Sequence, residues 1–190
     1  MVLSSNNITD SKGTNAYLRD KSFSKLLEYY CGKKLFEQVE NKFIELGEVV
    51  GSELEELALS ADKNPPELKK RSRIGELSND IEKHPDFIKI EKFAFEKFGL
   101  AAMSHRHGVF GMQQPLPPIV KYGLTFLFVQ SEFGICCPLS MTDSLTRTLT
   151  KFGDKKLIDK FFDQLTSQDL NHLFQGAMFM TEQHAGSDVG

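Results

Sequence analysis

The segment Met178–Gly190, MFMTEQHAGSDVG, gathers residue types that could hold a charged or flat ligand. Ala185, Gly186 and Ser187 are small, so a ligand can come close to the main chain. Gly186 can take a positive φ and turn successive amide N–H groups towards one point, which makes an anion nest. Thr181 and Ser187 add hydroxyl donors. The set suits a phosphate or the polar edge of a flat heterocycle. It equally suits a surface turn capped by Ser and Asp, and residue type alone leaves both readings open.

Other candidates point to chemistry less directly. His105 and His107 stand two apart, a spacing that does not converge on one ion, and no carboxylate or thiol stands near them at ligand spacing; no metal site is expected. Cys31, Cys136 and Cys137 are odd in number and two are adjacent, so they form no disulfide framework and read as packed, reduced thiols of a cytoplasmic protein. The basic run Lys69–Arg73, KKRSR, reads first as a solvated face.

The bulk numbers bound the rest. The 190 residues, with 40% hydrophobic and 26% charged side chains, suffice for one globular domain and part of a second. A formal charge of −3 supplies no global basic field for nucleic acid. Apolar runs such as LTFLFV are too short to span a bilayer, and the N-terminus has no secretory pattern.

The elements that must position the terminal loop are helical. Residues 1–21, rich in Ser, Asn and Asp, read as a flexible arm. Residues 22–170 read as a helical domain. Phe23, Leu26, Leu27 and Tyr30 share a face, and a stripe runs from Phe36 through Val39, Phe43, Leu46, Val50 and Leu54 to Leu57. Gly47 and Gly51 are expected to divide that stripe into two helices, and Pro65-Pro66 to end it. Arg71–Glu82 reads as polar loop. Pro85 opens another helix, with Phe87, Ile90 and Phe93 inward and Gly99 at its end.

Pro118 opens a further helix, IVKYGLTFLFVQ, apolar nearly all round and so central. After Pro138 a helix with Leu145 and Leu149 inward is expected, then one capped by Asp154 with Leu157, Phe161 and Leu165 inward. Residues 171–190 differ. LFQGAMFMTEQ is short and rich in Phe and Met, and reads as a strand, the start of a β-domain whose sheet partners lie elsewhere. The fold class expected is therefore mainly α, a helical bundle followed by the first strand of an incomplete β-barrel-like domain.

MTEQHAGSD resembles the T-E-P-x-A-G-S-D signature of the acyl-CoA dehydrogenase flavoproteins. KFGDKKLIDKFFDQL is similar to that family's charged amphipathic helix before the strand that carries the signature. ADKNPPELKK, HPDF and CPLSMTDSL resemble the AidB-like, alkylation-response branch. The similarity runs from about Asn15 to Gly190, an N-terminal portion with the family's helical-then-β layout.

The resemblance implies FAD as cofactor. Met178 and Met180 would meet the isoalloxazine ring, Thr181 would bond its polar edge, and Gly186 and Ser187 would approach the phosphates, Ser187 also contacting acyl-CoA. The implied reaction is α,β-desaturation of an acyl-CoA thioester: a carboxylate takes the α proton and the flavin accepts a hydride from the β carbon. The base is expected on a C-terminal helical domain beyond Gly190, so no catalytic residue is named here. An electron-transfer partner and homo-oligomeric assembly are implied for the complete protein. Where the family usually has Pro after Thr-Glu, this sequence has Gln183 and His184. Two other readings accompany this one: a DNA-associated alkylation-response flavoprotein with little turnover, whose DNA surface would lie downstream, and a non-catalytic helical interaction module.

Overall fold

The computed structural model describes residues 10–181 together with Gln183, His184 and Gly186. Among these, eight α-helices and one β-hairpin follow in chain order: α1 (Ala16–Arg19), α2 (Lys21–Cys31), α3 (Lys33–Val49), α4 (Glu55–Lys63), β1 (Glu67–Arg71), β2 (Leu77–Glu82), α5 (Pro85–Glu91), α6 (Pro118–Phe128), α7 (Cys136–Phe152) and α8 (Lys155–Leu165).

The helices start and stop where local chemistry requires. Asp20 caps α2, its carboxylate accepting from the Ser22 and Phe23 amides at 3.1 and 2.9 Å. Gly32, at φ +72°, turns the chain into α3. Pro85 occupies the first turn of α5, where its missing N–H costs nothing. Gly99, at φ +55°, ends the helical run that begins there. Asp154 caps α8, accepting from the Leu157 amide at 2.8 Å.

The stripe from Phe36 to Leu57 forms the floor of the core, with Phe43, Leu46 and Leu54 fully buried. Helix α6 crosses it, burying Val120, Leu124, Leu127 and Phe128. Tyr122 and Phe126 on the opposite side of α6 are largely exposed, so that helix is central on one face only.

Gly47 and Gly51 do not divide the stripe. Helix α3 passes through Gly47 and joins α4 by one π-helical turn, Val50–Leu54. The glycines are there because the N-terminal segment lies on them. A Cβ at Gly47 would stand 2.7 Å from the Tyr17 Cβ, and one at Gly51 would collide with the Thr14 carbonyl. Widening the turn frees carbonyls, and these are taken: the Gly13 amide donates to Gly51 at 2.7 Å and the Ser131 hydroxyl to Val50 at 3.0 Å.

Within the described part of the expected N-terminal arm, Asn15, Ala16 and Tyr17 are packed, while residues 10–14 and 18–21 are exposed. Tyr17 is fully buried, its ring 5.6 Å from that of Phe43 and its hydroxyl 3.0 Å from Ser24 Oγ. Asn15 caps α1 by accepting from the Tyr17 and Leu18 amides, and its own amide donates to the Ile44 carbonyl at 2.9 Å. Its polar composition disguised a cap and a core aromatic. Residues 1–9 lie outside the described residues.

The stretch read as polar loop, Arg71–Glu82, holds the turn and second strand of the hairpin, whose first strand ends at Arg71. β1 and β2 pair antiparallel, with Leu68 opposite Ile81 and Lys69 opposite Asp80. Nearly every residue of both strands is exposed, which is why the apolar pattern did not mark them. Helix α7 begins at Cys136, ahead of Pro138, and turns inward Leu139, Thr142, Asp143 and Thr146; Leu145 is exposed. Thr142, Thr146 and Thr150 donate back to the carbonyls of Pro138, Thr142 and Thr146, at 2.7, 2.7 and 2.9 Å, which makes a hydroxyl-rich face tolerable inside.

Candidate functional site

After α8 the chain is tied to the bundle at successive points. Arg106 donates to the Thr166 carbonyl at 3.1 Å, Gln168 to the Glu96 carbonyl at 2.7 Å, and the Leu170 amide to the Glu96 carboxylate at 3.0 Å. The last ties fall on adjacent residues. Gln175 donates its side-chain amide to buried Glu91 at 3.1 Å, and the Gly176 amide donates to Thr142 Oγ1 at 3.0 Å.

Beyond Gly176 the chain leaves the bundle. Residues 173–181 have no helix and no ladder pairing among the described residues; a strand takes its backbone bonds from a neighbouring strand, and here the Phe174 amide donates instead to the Gln164 carbonyl at the end of α8, at 3.1 Å. The expected ligand-facing residues stand open: Met178 is 62% exposed and Met180 53%, with Phe179 between them 95% exposed. Thr181, Gln183, His184 and Gly186 are exposed too, and a Cβ at Gly186 would meet nothing within 4 Å. Ser187 lies outside the described residues. The structure thus keeps Met178, Met180 and Thr181 together on one outgoing segment, and closes no pocket around them among the described residues.

A polar cluster lies inside the bundle beside this root. Asp143 on α7 accepts from His105 Nε2 at 2.7 Å and from Lys121 Nζ on α6 at 2.6 Å, with the Arg147 guanidinium 3.9 Å away. All three core partners are buried, and a small cavity of about 70 Å³ adjoins them, lined also by Tyr122, Thr125, Ser140 and Ser144. Burial alone raises the carboxyl pKa of Asp143; the hydrogen bonds from His105 and Lys121 outweigh it and hold the group at about 2. The arrangement keeps one carboxylate ionised and ties α6, α7 and the loop through His105 together.

Sequence spacing concealed this cluster. His105 has a carboxylate partner after all, 38 residues along the chain. Lys121 stands in the helix expected to be apolar nearly all round, and is buried there. One signal was available: a lone Lys within PIVKYGLTFLF must find an acid if that helix is central.

The remaining candidates are scattered. His107 is exposed, and no group of three or more His, Cys, Asp or Glu able to hold a metal occurs among the described residues. Burial pushes the Cys31 thiol above its usual range, and Cys137 is exposed at the start of α7. The run Lys69–Arg73 lies on the exposed hairpin, where Lys69 bonds Glu67 and Glu82 at 2.6 and 2.9 Å. Among the described residues no helix is long and apolar enough to cross a membrane.

The helical bundle with its outgoing apolar segment agrees with the layout expected from the resemblance to the acyl-CoA dehydrogenase family. Residues 6–172 match the family of the adaptive response protein AidB N-terminal domain, and the chain belongs to that family. It is 25% identical over 178 residues to acyl-CoA dehydrogenase family member 11 of Caenorhabditis elegans, an alignment that covers 92% of this chain and 28% of that protein. The fold matches the solved apo form of Bd2924 with a TM-score of 0.79 at 24% identity, over 96% of this chain and 36% of that one. The chain thus spans less than a third of the curated relative it matches.

Proposed function

We propose that this chain is the N-terminal helical part of an FAD-dependent oxidoreductase of the acyl-CoA dehydrogenase type. The observation that carries the proposal is the outgoing segment Met178–Thr181, apolar, exposed and rooted in the bundle at Gly176. Large apolar side chains in the open beside a hydroxyl call for a flat, partly polar cover.

The residues fit the cofactor. Met178 and Met180 are two apart and share a face once the segment enters a sheet, offering soft apolar surface to a ring. Thr181 offers a hydroxyl at the ring's polar edge, and Gly186 leaves room for phosphate. When bound, FAD would supply hydride acceptance from the β carbon of an acyl-CoA thioester. This chain would position the ring and exclude water from one side of it. The acid–base step falls to a carboxylate beyond Gly190, and an electron-transfer partner would reoxidise the complete, homo-oligomeric protein.

The test is anaerobic mixing of the complete protein with acyl-CoA thioesters of several lengths. Loss of the oxidised-flavin absorption with at least one thioester supports the reading; an unchanged spectrum with all of them refutes desaturase activity.

A second reading has an observation of its own. The family match is to the AidB N-terminal domain, and Gln183, followed by His184, stands where the dehydrogenase signature has Pro. Both favour an alkylation-response flavoprotein associated with DNA and slow in turnover. Salt-dependent DNA binding by the complete protein would support it; no binding at low salt would remove it.

A further inference from the structure

We infer that Thr142 and Glu91 are positioning residues for the flavin-facing segment, acting through the adjacent pair Gln175 and Gly176. The inference rests on the flavin reading above.

Thr142 is fully buried on α7, and its hydroxyl is used twice: it donates to the Pro138 carbonyl at 2.7 Å and accepts from the Gly176 amide at 3.0 Å. The first bond orients the oxygen's lone pair, so the second has a fixed direction. Gly176 must be glycine for this approach, since a Cβ there would stand 2.5 Å from the Met141 carbonyl oxygen. Glu91 is buried on α5, with both carboxylate oxygens bonded to Lys83 at 2.7 and 2.9 Å, and it also accepts from Gln175 at 3.1 Å. Two helices therefore fix consecutive residues, one through the side chain and one through the main chain. A segment held at two consecutive residues has both its origin and its direction set. Met178 follows Gly176 by two residues, and past that point the chain makes no further tie to the bundle among the described residues.

The ties are built for placement rather than for core stability. α7 offers an internal comparison: Thr146 is equally buried and donates to the Thr142 carbonyl at 2.7 Å, but has no bond to the terminal segment. Losing either hydroxyl costs the bundle one back-bond to a carbonyl of the preceding turn. Only the loss at position 142 releases the segment.

The experiment measures FAD affinity of the complete protein by the change in flavin absorption and fluorescence, with urea unfolding alongside. Thr142→Val is expected to weaken FAD binding about tenfold, the worth of one well-placed hydrogen bond. Thr142→Ser should restore it, Gly176→Ala should weaken it with every α7 group intact, and Glu91→Leu, which removes the acceptor, should weaken it through Gln175. Thr146→Val should also lose stability, by the one back-bond it shares in kind with Thr142→Val, and keep the wild-type affinity within about twofold. Equal FAD affinities in Thr142→Val and Thr146→Val overturn the positioning role alone. A wild-type protein that takes up no FAD overturns the flavin reading and, with it, this inference.

Discussion

Lys121 on α6 donates to Asp143 on α7 across 2.6 Å with both side chains buried, so the bundle's central helix and its hydroxyl-faced neighbour are joined by an ion pair rather than by apolar contact alone. Attraction between such charges repays their desolvation only with good geometry and further hydrogen bonds, which His105 supplies here at 2.7 Å. Asp143→Ala leaves Lys121 buried without its acid and is expected to cost about 3–5 kcal/mol in urea unfolding. The double change Lys121→Met with Asp143→Leu removes both charges and should recover most of that loss.

The same carboxylate gives a pH signature. Its folded pKa, about 2, lies below the ordinary value of about 3.9 for an unfolded Asp. A depressed carboxylate contributes stability that is full above the unfolded pKa and lost as pH falls through the folded one. The contribution, about 2–3 kcal/mol, is expected to hold from neutrality to about pH 5 and to fade towards pH 2. Unfolding curves of the wild type and Asp143→Asn should therefore converge as pH is lowered across that window. A gap that stays constant to pH 2.5 would contradict the pairing.

The helical framework was legible because a stripe spaced by three and four marks a face whatever its neighbours, and because Pro65, Pro85, Pro118 and Gly99 punctuate locally. Gly47 and Gly51 were misread for a physical reason. A glycine in a helix means either a break or a close approach, and only the segment lying on it distinguishes the two. Gly51→Ala pushes a methyl group into the Thr14 carbonyl, and is expected to destabilise by about 1–3 kcal/mol. It should also speed trypsin cleavage after Lys12 and Arg19, as the N-terminal segment lifts away.

The hairpin was illegible because exposed strands bury nothing, and periodicity reports burial. Its independence from the core makes a prediction. Replacing Leu68–Ile81 by a short Gly-Ser turn removes side chains that are exposed except for half-buried Ser78, with their mutual bonds and the surface pairs of Lys69 with Glu67 and Glu82. Unfolding free energy should stay within about 0.5 kcal/mol of the wild type, the usual range for surface changes. A larger loss would mean that the hairpin braces α4 and α5.

The candidate site divides in the same way. Met178, Met180 and Thr181 lie within four successive residues, so the proposed motif is a local one that the sequence can display. Thr142, Glu91 and the Asp143 cluster were not, since each becomes a partner only when distant helices pack. Tertiary pairs of this kind leave no spacing in the sequence to read.

The most direct measurement is the flavin content of the complete protein. Purified and scanned in the visible range, it should carry the flavin absorption bands, or gain them on addition of FAD with the flavin's fluorescence changed by binding. A colourless protein that leaves added FAD free would contradict the account at its centre.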